Sequence, residues 1–244
     1  MTFQSMNEGA QFVATSRDIL LQNQITVTIG TNFFEYRDLL KEERPQQVLG
    51  APFDPEVHDM NAGNAFWLVA HDVDGLLMHT QASRLIDLKQ KTLSGYMLKK
   101  FREFPPAIPD LDLKRSRYRA SPGANRITGH VVYHGEVWMG GSPGQYRGSG
   151  LSTVLARYGL HEAMRRWDPD YIFGFMARTV AYKGFAERMG YMHNEPGALR
   201  WYRKGQDTPL EGFVSYLSNE DTRYLLEMPV VDVVDVPRPH PKAA

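Results

Sequence analysis

The stretch ITGHVVYHGEVWMGGSPGQYRGSGLSTVLARYGLHEA, residues 127–163, decides how this chain folds. Residues 127–139 carry the β-branched and aromatic side chains of a strand, and the chain then runs straight into a glycine-rich segment, residues 140–150. Leu151, Val154, Leu155, Tyr158 and Ala163 follow mostly at spacings of three and four, the pattern of an amphipathic helix. Trp167, Asp168 and Pro169 close it, since a residue before proline is pushed out of the helical region. Where a strand ends in glycines and a long helix begins, main-chain amides are left without ladder or helix partners. The helix dipole adds partial positive charge, so such a turn binds anions. Here the turn comprises Gln145, Tyr146, Arg147, Gly148, Ser149, Gly150 and Leu151, with Arg147 as a ready cation. It is not a nucleoside-triphosphate loop, because no Lys followed by Ser or Thr comes after the last glycine, and it lacks the third glycine of a dinucleotide fingerprint.

Upstream, Ile25, Val27 and Ile29 alternate with threonines in a half-buried strand that Gly30 ends. Asn32 and Glu35 have capping-box spacing, and Phe33, Tyr36 and Leu40 predict a helix running up to Pro45. Residues 66–70 are apolar on both alternating faces, as in a strand covered on both sides. Asp74 and Gly75 signal a hairpin, with the returning strand in residues 76–86. Leu93, Tyr96, Met97 and Phe101 share a helical face until Pro105 and Pro106, and residues 105–125 read as irregular. Downstream come a buried strand (171–176), a short helix from about 180 to 189 closed by a left-handed Gly190, extended chain from Tyr191, a further strand at 213–217, and a Pro-containing tail expected to be mobile. This order predicts an α/β fold with a mixed sheet.

With 244 residues, 42% hydrophobic and 23% charged, the chain has the composition of a globular protein rather than a disordered one. Its 28 Lys and Arg balance 28 Asp and Glu, so no global field draws it to nucleic acid or an anionic membrane. Lys114, Arg115, Arg117 and Arg119, interleaved with Tyr118, read as a solvated basic loop that could also meet an acidic substrate. Without cysteine there is no disulfide, thiol nucleophile or thiolate metal site. His130 and His134 fall on one strand face but lack a third ligand, so no metal is expected. No basic start with an apolar run and no stretch of roughly 18 apolar residues is visible, and a cytoplasmic protein is the expectation.

Gln145, Gly148 and Gly150 match a signature of glutamine or arginine, two variable residues, glycine, a variable residue and glycine. In this the segment resembles the GNAT superfamily of N-acetyltransferases. The resemblance is best over residues 127–191, where the ending Phe185, Ala186, Glu187, Arg188, Met189, Gly190, Tyr191 is also similar to the superfamily's second half. It implies a mixed, mainly antiparallel sheet flanked by helices, laid out as an extension (1–24), an acyltransferase domain (25–220, with an insertion at about 89–126) and a tail (221–244). It also implies that the glycine turn holds the pyrophosphate of acetyl-CoA, the co-substrate. Carbonyl polarisation would come from a main-chain amide where the strand splays, around Trp138, Met139, Gly140 and Gly141.

Under the same resemblance Glu136 is the base expected to take the amine proton, the other reading being a solvated or ion-paired strand glutamate. The acid departs from the family pattern, because Ala186 stands where a tyrosine is usual and Thr179 where an asparagine is usual. Tyr182, one turn earlier, is the phenol in reach of the coenzyme sulfur; otherwise it packs and water protonates the thiolate. The acceptor implied is a small-molecule or peptide primary amine, and a homodimer is allowed. Two alternatives stay open: a coenzyme-binding sensor without catalysis, favoured by Ala186, and an enzyme similar to acyl-homoserine lactone synthases.

Overall fold

The computed structural model describes residues 3–141, 146 and 150–230, with side chains from residue 11 onward. The strands are β1 (Thr26–Gly30), β2 (Ala65–His71), β3 (Leu77–Asp87), β4 (Leu111–Tyr118), β5 (His130–Met139), β6 (Tyr171–Ala177), β7 (His193–Arg203) and β8 (Leu210–Ser218). They form one sheet in the order β1-β2-β3-β5-β6-β8-β7-β4. Neighbours run antiparallel except β5 and β6, which are parallel. The expected mixed, mainly antiparallel sheet flanked by helices is therefore what the chain forms.

The helices are α1 (Phe3–Gln22), α2 (Phe33–Glu43), α3 (Leu93–Lys100), α4 (Leu151–Trp167), the single turns α5 (Arg178–Ala181) and α6 (Phe185–Arg188), and α7 (Asn219–Glu227). On one face α2 and α3 cover an aromatic layer that includes Phe33, Tyr36, Phe53, Trp67, Tyr133, Phe173 and Trp201. On the other face α4 lays Val154, Leu155, Leu160 and Ala163 on the sheet, as its spacing predicts. The side-chain oxygen of Asn32 accepts from the Phe34 amide and starts α2, and Gly190 closes the turn after α6 at φ +93°.

Residues 3–22, read as part of an N-terminal extension, form α1, which packs Phe12, Ile19 and Leu20 against Leu151, Val154 and Leu155 of α4. Two expectations are corrected. The segment 105–125 is not irregular throughout, since it supplies β4 at the far edge of the sheet, beyond β7. The helix expected at 180–189 is two separate turns divided by left-handed Gly184. Helix α7 spans the boundary expected at residue 221, its start fixed by reciprocal bonds between Ser218 and Asp221. Val230 is buried beside α1, and residues 231–244 lie outside the described residues. Among the described residues no helix is long and apolar enough to cross a membrane.

Candidate functional site

Strands β5 and β6 pair only over Val131, Val132 and Tyr133 against Tyr171, Ile172 and Phe173. Beyond that β5 continues on β3 while β6 continues on β8, and the two separate. The gap is a cleft of about 330 Å³. Its walls are Gly135, Glu136 and Val137 on one side and Gly174, Phe175 and Met176 on the other. It is lined from both faces of the sheet, by Pro52 and Phe53 on the α2 face and by Phe185, Met189 and Tyr191 on the α4 face. A Cβ at Gly174 would lie 2.7 Å from both the His134 carbonyl oxygen and the Tyr191 hydroxyl, so glycine is what keeps this wall open.

The wall on β5 is distorted. Ala82 pairs with Gly135 and Thr80 with Trp138, so Glu136 and Val137 together face the single residue Gln81 in a bulge, and Glu136 sits at φ +53°. A glutamate in the left-handed region is strained, and it persists because its surroundings over-determine it. Its Oε2 accepts from Arg44 Nη2 at 2.9 Å and its Oε1 from the Gly50 amide at 2.9 Å. Its carbonyl accepts from Thr80 Oγ1, which in turn accepts from Arg44 Nη1. Arg44 and Glu136 are 3% and 8% exposed, and the guanidinium also lies 5.5 Å from the Trp138 ring centroid.

Behind the same wall a chain of polar groups crosses the sheet. Gln81 Nε2 donates to the Leu155 carbonyl of α4 at 2.6 Å, which turns Oε1 toward His134 Nε2 at 2.9 Å. His134 Nε2 therefore carries the proton, leaving Nδ1 to accept from the Tyr191 hydroxyl at 2.9 Å. Burial pulls the His134 imidazolium down to about 4 and pushes the Tyr191 phenol well above its ordinary range. Gly159 makes the chain fit, because a Cβ there would lie 2.1 Å from Gln81 Oε1. Sequence reasoning missed this set; its trace is a glutamine and a histidine at buried positions of two central strands.

The other expected site residues divide as follows. Trp138 packs against the aromatic layer, and Met139 joins the cluster under α4. The Gly140 amide already donates to the Met78 carbonyl at 2.7 Å, and the break in the ladder falls at Glu136 and Val137, just before Trp138, Met139 and Gly140. Gly141 is exposed at φ +81°. The Tyr146 hydroxyl donates to Asp72, holding that carboxyl below its usual range together with the Leu76 amide. Gly150 starts α4 in the left-handed conformation with no side-chain cap, and Leu151 is buried against α1. Gln145, Arg147, Gly148 and Ser149 lie outside the described residues. Tyr182 is not brought to the cleft: it is 69% exposed and edge-on to Phe213, with the Arg178 guanidinium over its ring. Ala186 is fully buried.

A second cavity, about 420 Å³, continues from the cleft on the α2 face and shares Pro105, Pro106, Tyr133, Phe175, Met176 and Ala177 with it. The basic run lies elsewhere, on and just after β4, with Arg117 directly opposite Arg200. Among the described residues no cluster of three metal-ligating side chains occurs.

No family model matches this chain, and no curated protein matches it in sequence. Solved structures that resemble it include N-acetyltransferases at low identity. NAA60 of Arabidopsis thaliana, in complex with acetyl-CoA, is 13% identical, with a TM-score of 0.44 over 79% of this chain and 98% of that one. An N-acetyltransferase from Staphylococcus aureus Mu50 is 11% identical, with a TM-score of 0.43 over 80% and 98%. The spermidine/spermine N-acetyltransferase SpeG from Vibrio cholerae is 10% identical, with a TM-score of 0.43 over 84% and 98%.

Proposed function

We propose that this chain is an acyl-CoA-dependent N-acyltransferase that moves acetyl from acetyl-CoA to a primary amine by direct attack in a ternary complex. The observation that carries the reading is the parting of β5 from β6 after Tyr133 and Phe173, which opens a cleft lined from both faces of the sheet. Two reactants entering from opposite faces meet there without a covalent enzyme intermediate. Support also comes from the match of Gln145, Gly148 and Gly150 to the acetyltransferase signature. The residues fit the coenzyme: Gly150 opens α4 in the left-handed conformation and brings no side chain to that turn, and Gly174 keeps the cleft wall bare. The turn at 145–151 would hold the diphosphate. When bound, acetyl-CoA supplies an activated acyl group with a thiolate leaving group.

In this reading the bulged main chain at Glu136 and Val137, outside the β3 ladder, polarises the acyl carbonyl. Glu136 is the anchor of that bulge, its carboxylate being committed to Arg44 and the Gly50 amide. Tyr191, whose proton points at His134 Nδ1, offers its oxygen lone pairs to the amine. The amine proton passes to the Tyr191 oxygen as the phenolic proton moves to His134. The weakly basic imidazole then returns a proton through Tyr191 to the leaving group.

The test is titration calorimetry with acetyl-CoA beside thiol release across a panel of amines. Saturable binding with thiol release is expected. Binding without turnover on any amine supports the sensor instead, long acyl donors outperforming acetyl support the lactone-synthase-like enzyme, and failure to bind sinks the proposal.

A further inference from the structure

The cavity that continues from the cleft on the α2 face is lined mostly by hydrocarbon. Phe104, Ile108, Phe175, Trp201 and Leu210 are among its lining residues, and at about 420 Å³ it falls within the range of small-molecule sites. Its aromatic floor is tightly coupled, with Phe104 edge-on to Tyr133 at 4.9 Å and to Phe175 at 6.1 Å. The carboxylate on its lining, Glu211, already faces two cations: Arg178 Nη1 at 2.9 Å and Arg200 Nη2 at 3.4 Å. A second ammonium group on a substrate would enter this space without an unclaimed anion to meet it, and would be desolvated with no return. An apolar ring would instead displace water from apolar walls. Such walls also favour the uncharged form of a nearby amine, the form that attacks a carbonyl.

We propose that this groove receives the body of the acceptor, and that the acceptor is a small monoamine bearing an apolar, ring-sized group rather than a polyamine or a peptide. That it is an acceptor rests on the acyltransferase reading; that the groove selects apolar monoamines does not.

The test titrates the intact protein, with coenzyme A present, against 2-phenylethylamine, spermidine and an alanine-rich tetrapeptide amine. Calorimetry reports binding directly. Phenylethylamine is expected to bind at least tenfold tighter than either competitor. Ile108→Asp should weaken it about tenfold while improving spermidine, and Leu210→Asp, on the exposed rim, repeats the measurement should the first variant fold poorly. Spermidine or the peptide binding as tightly as phenylethylamine overturns the inference, as does indifference of phenylethylamine to both substitutions. Acetyl-CoA titrated into the same samples keeps the two claims apart. Its failure to bind removes the transferase while the phenylethylamine result still judges the groove.

Discussion

Arg44, at the end of α2, and Glu136, in the bulge of β5, meet at 2.9 Å although 91 residues separate them along the chain and both are nearly sealed from water. This pair ties the helical layer to the one strained residue of the cleft wall. Removing one partner strands the other's charge, at a cost of about 3–5 kcal/mol. Arg44→Met and Glu136→Gln should each lower stability on that scale in urea denaturation, and the double variant should lose less than the sum. If the singles simply add, the coupling drawn from the geometry is absent. Glu136→Gln should also depress thiol release while leaving acetyl-CoA affinity nearly intact.

Tyr191→Phe deletes the donor to His134 Nδ1 and leaves a buried acceptor unmet, which costs about 1–3 kcal/mol. If Tyr191 also moves the proton, its loss lowers kcat and alters the pH profile while acetyl-CoA affinity stays. Unchanged turnover would reduce Tyr191 to a packing role.

Acid should weaken the fold in two stages. Burial holds His58 and His134 down to about 4 and His79 to about 3, from an ordinary value of 6.5. Between these limits the unfolded chain binds protons that the folded chain refuses. Stability is therefore full above about 6.5 and is lost as pH falls toward 4 and then 3. Asp72 and Asp221, held below the usual carboxylate range, add a second loss at lower pH. Melting temperature followed from pH 7.5 down to about 2 reads both stages. A flat profile above pH 4.5 would show that the histidines titrate freely.

Gly174→Val sets a branched side chain against the His134 carbonyl and the Tyr191 hydroxyl, and should abolish acetyl-CoA binding with a loss of about 1–3 kcal/mol from overpacking. Gly150→Val forces a β-branched residue into the left-handed region at φ +76°, at about 1–2 kcal/mol, and should weaken the coenzyme's hold at the start of α4. Calorimetric titration of both variants separates a blocked wall from a damaged helix start.

The centre of the fold was legible because its signals are local. The period of β5 and α4, the Asp74–Gly75 turn, the Asn32 cap and the left-handed Gly190 each depend on a few neighbouring residues. What escaped depends on contacts distant in sequence. The bulge at Glu136 is held by Arg44, Gly50 and Thr80, and no pattern within β5 marks it, which is why the distortion was expected at the glycines instead. Tyr182 looked suited to the site by helical spacing, yet Gly184 breaks that helix and the ring turns to Phe213. Strand β4 hid behind its charges, because as a sheet edge it buries little more than Ser116.

Those charges also settle how the margin of the sheet meets other molecules. The Arg117 guanidinium folds back onto the Lys114 and Ser116 carbonyls, and Arg102 Nε donates to the Leu113 carbonyl at 3.0 Å. Acceptors that an incoming strand would seek are spoken for, and cationic side chains surround them. The β4 border is thus self-sealed against accretion, a safeguard against fibril-like stacking along that edge.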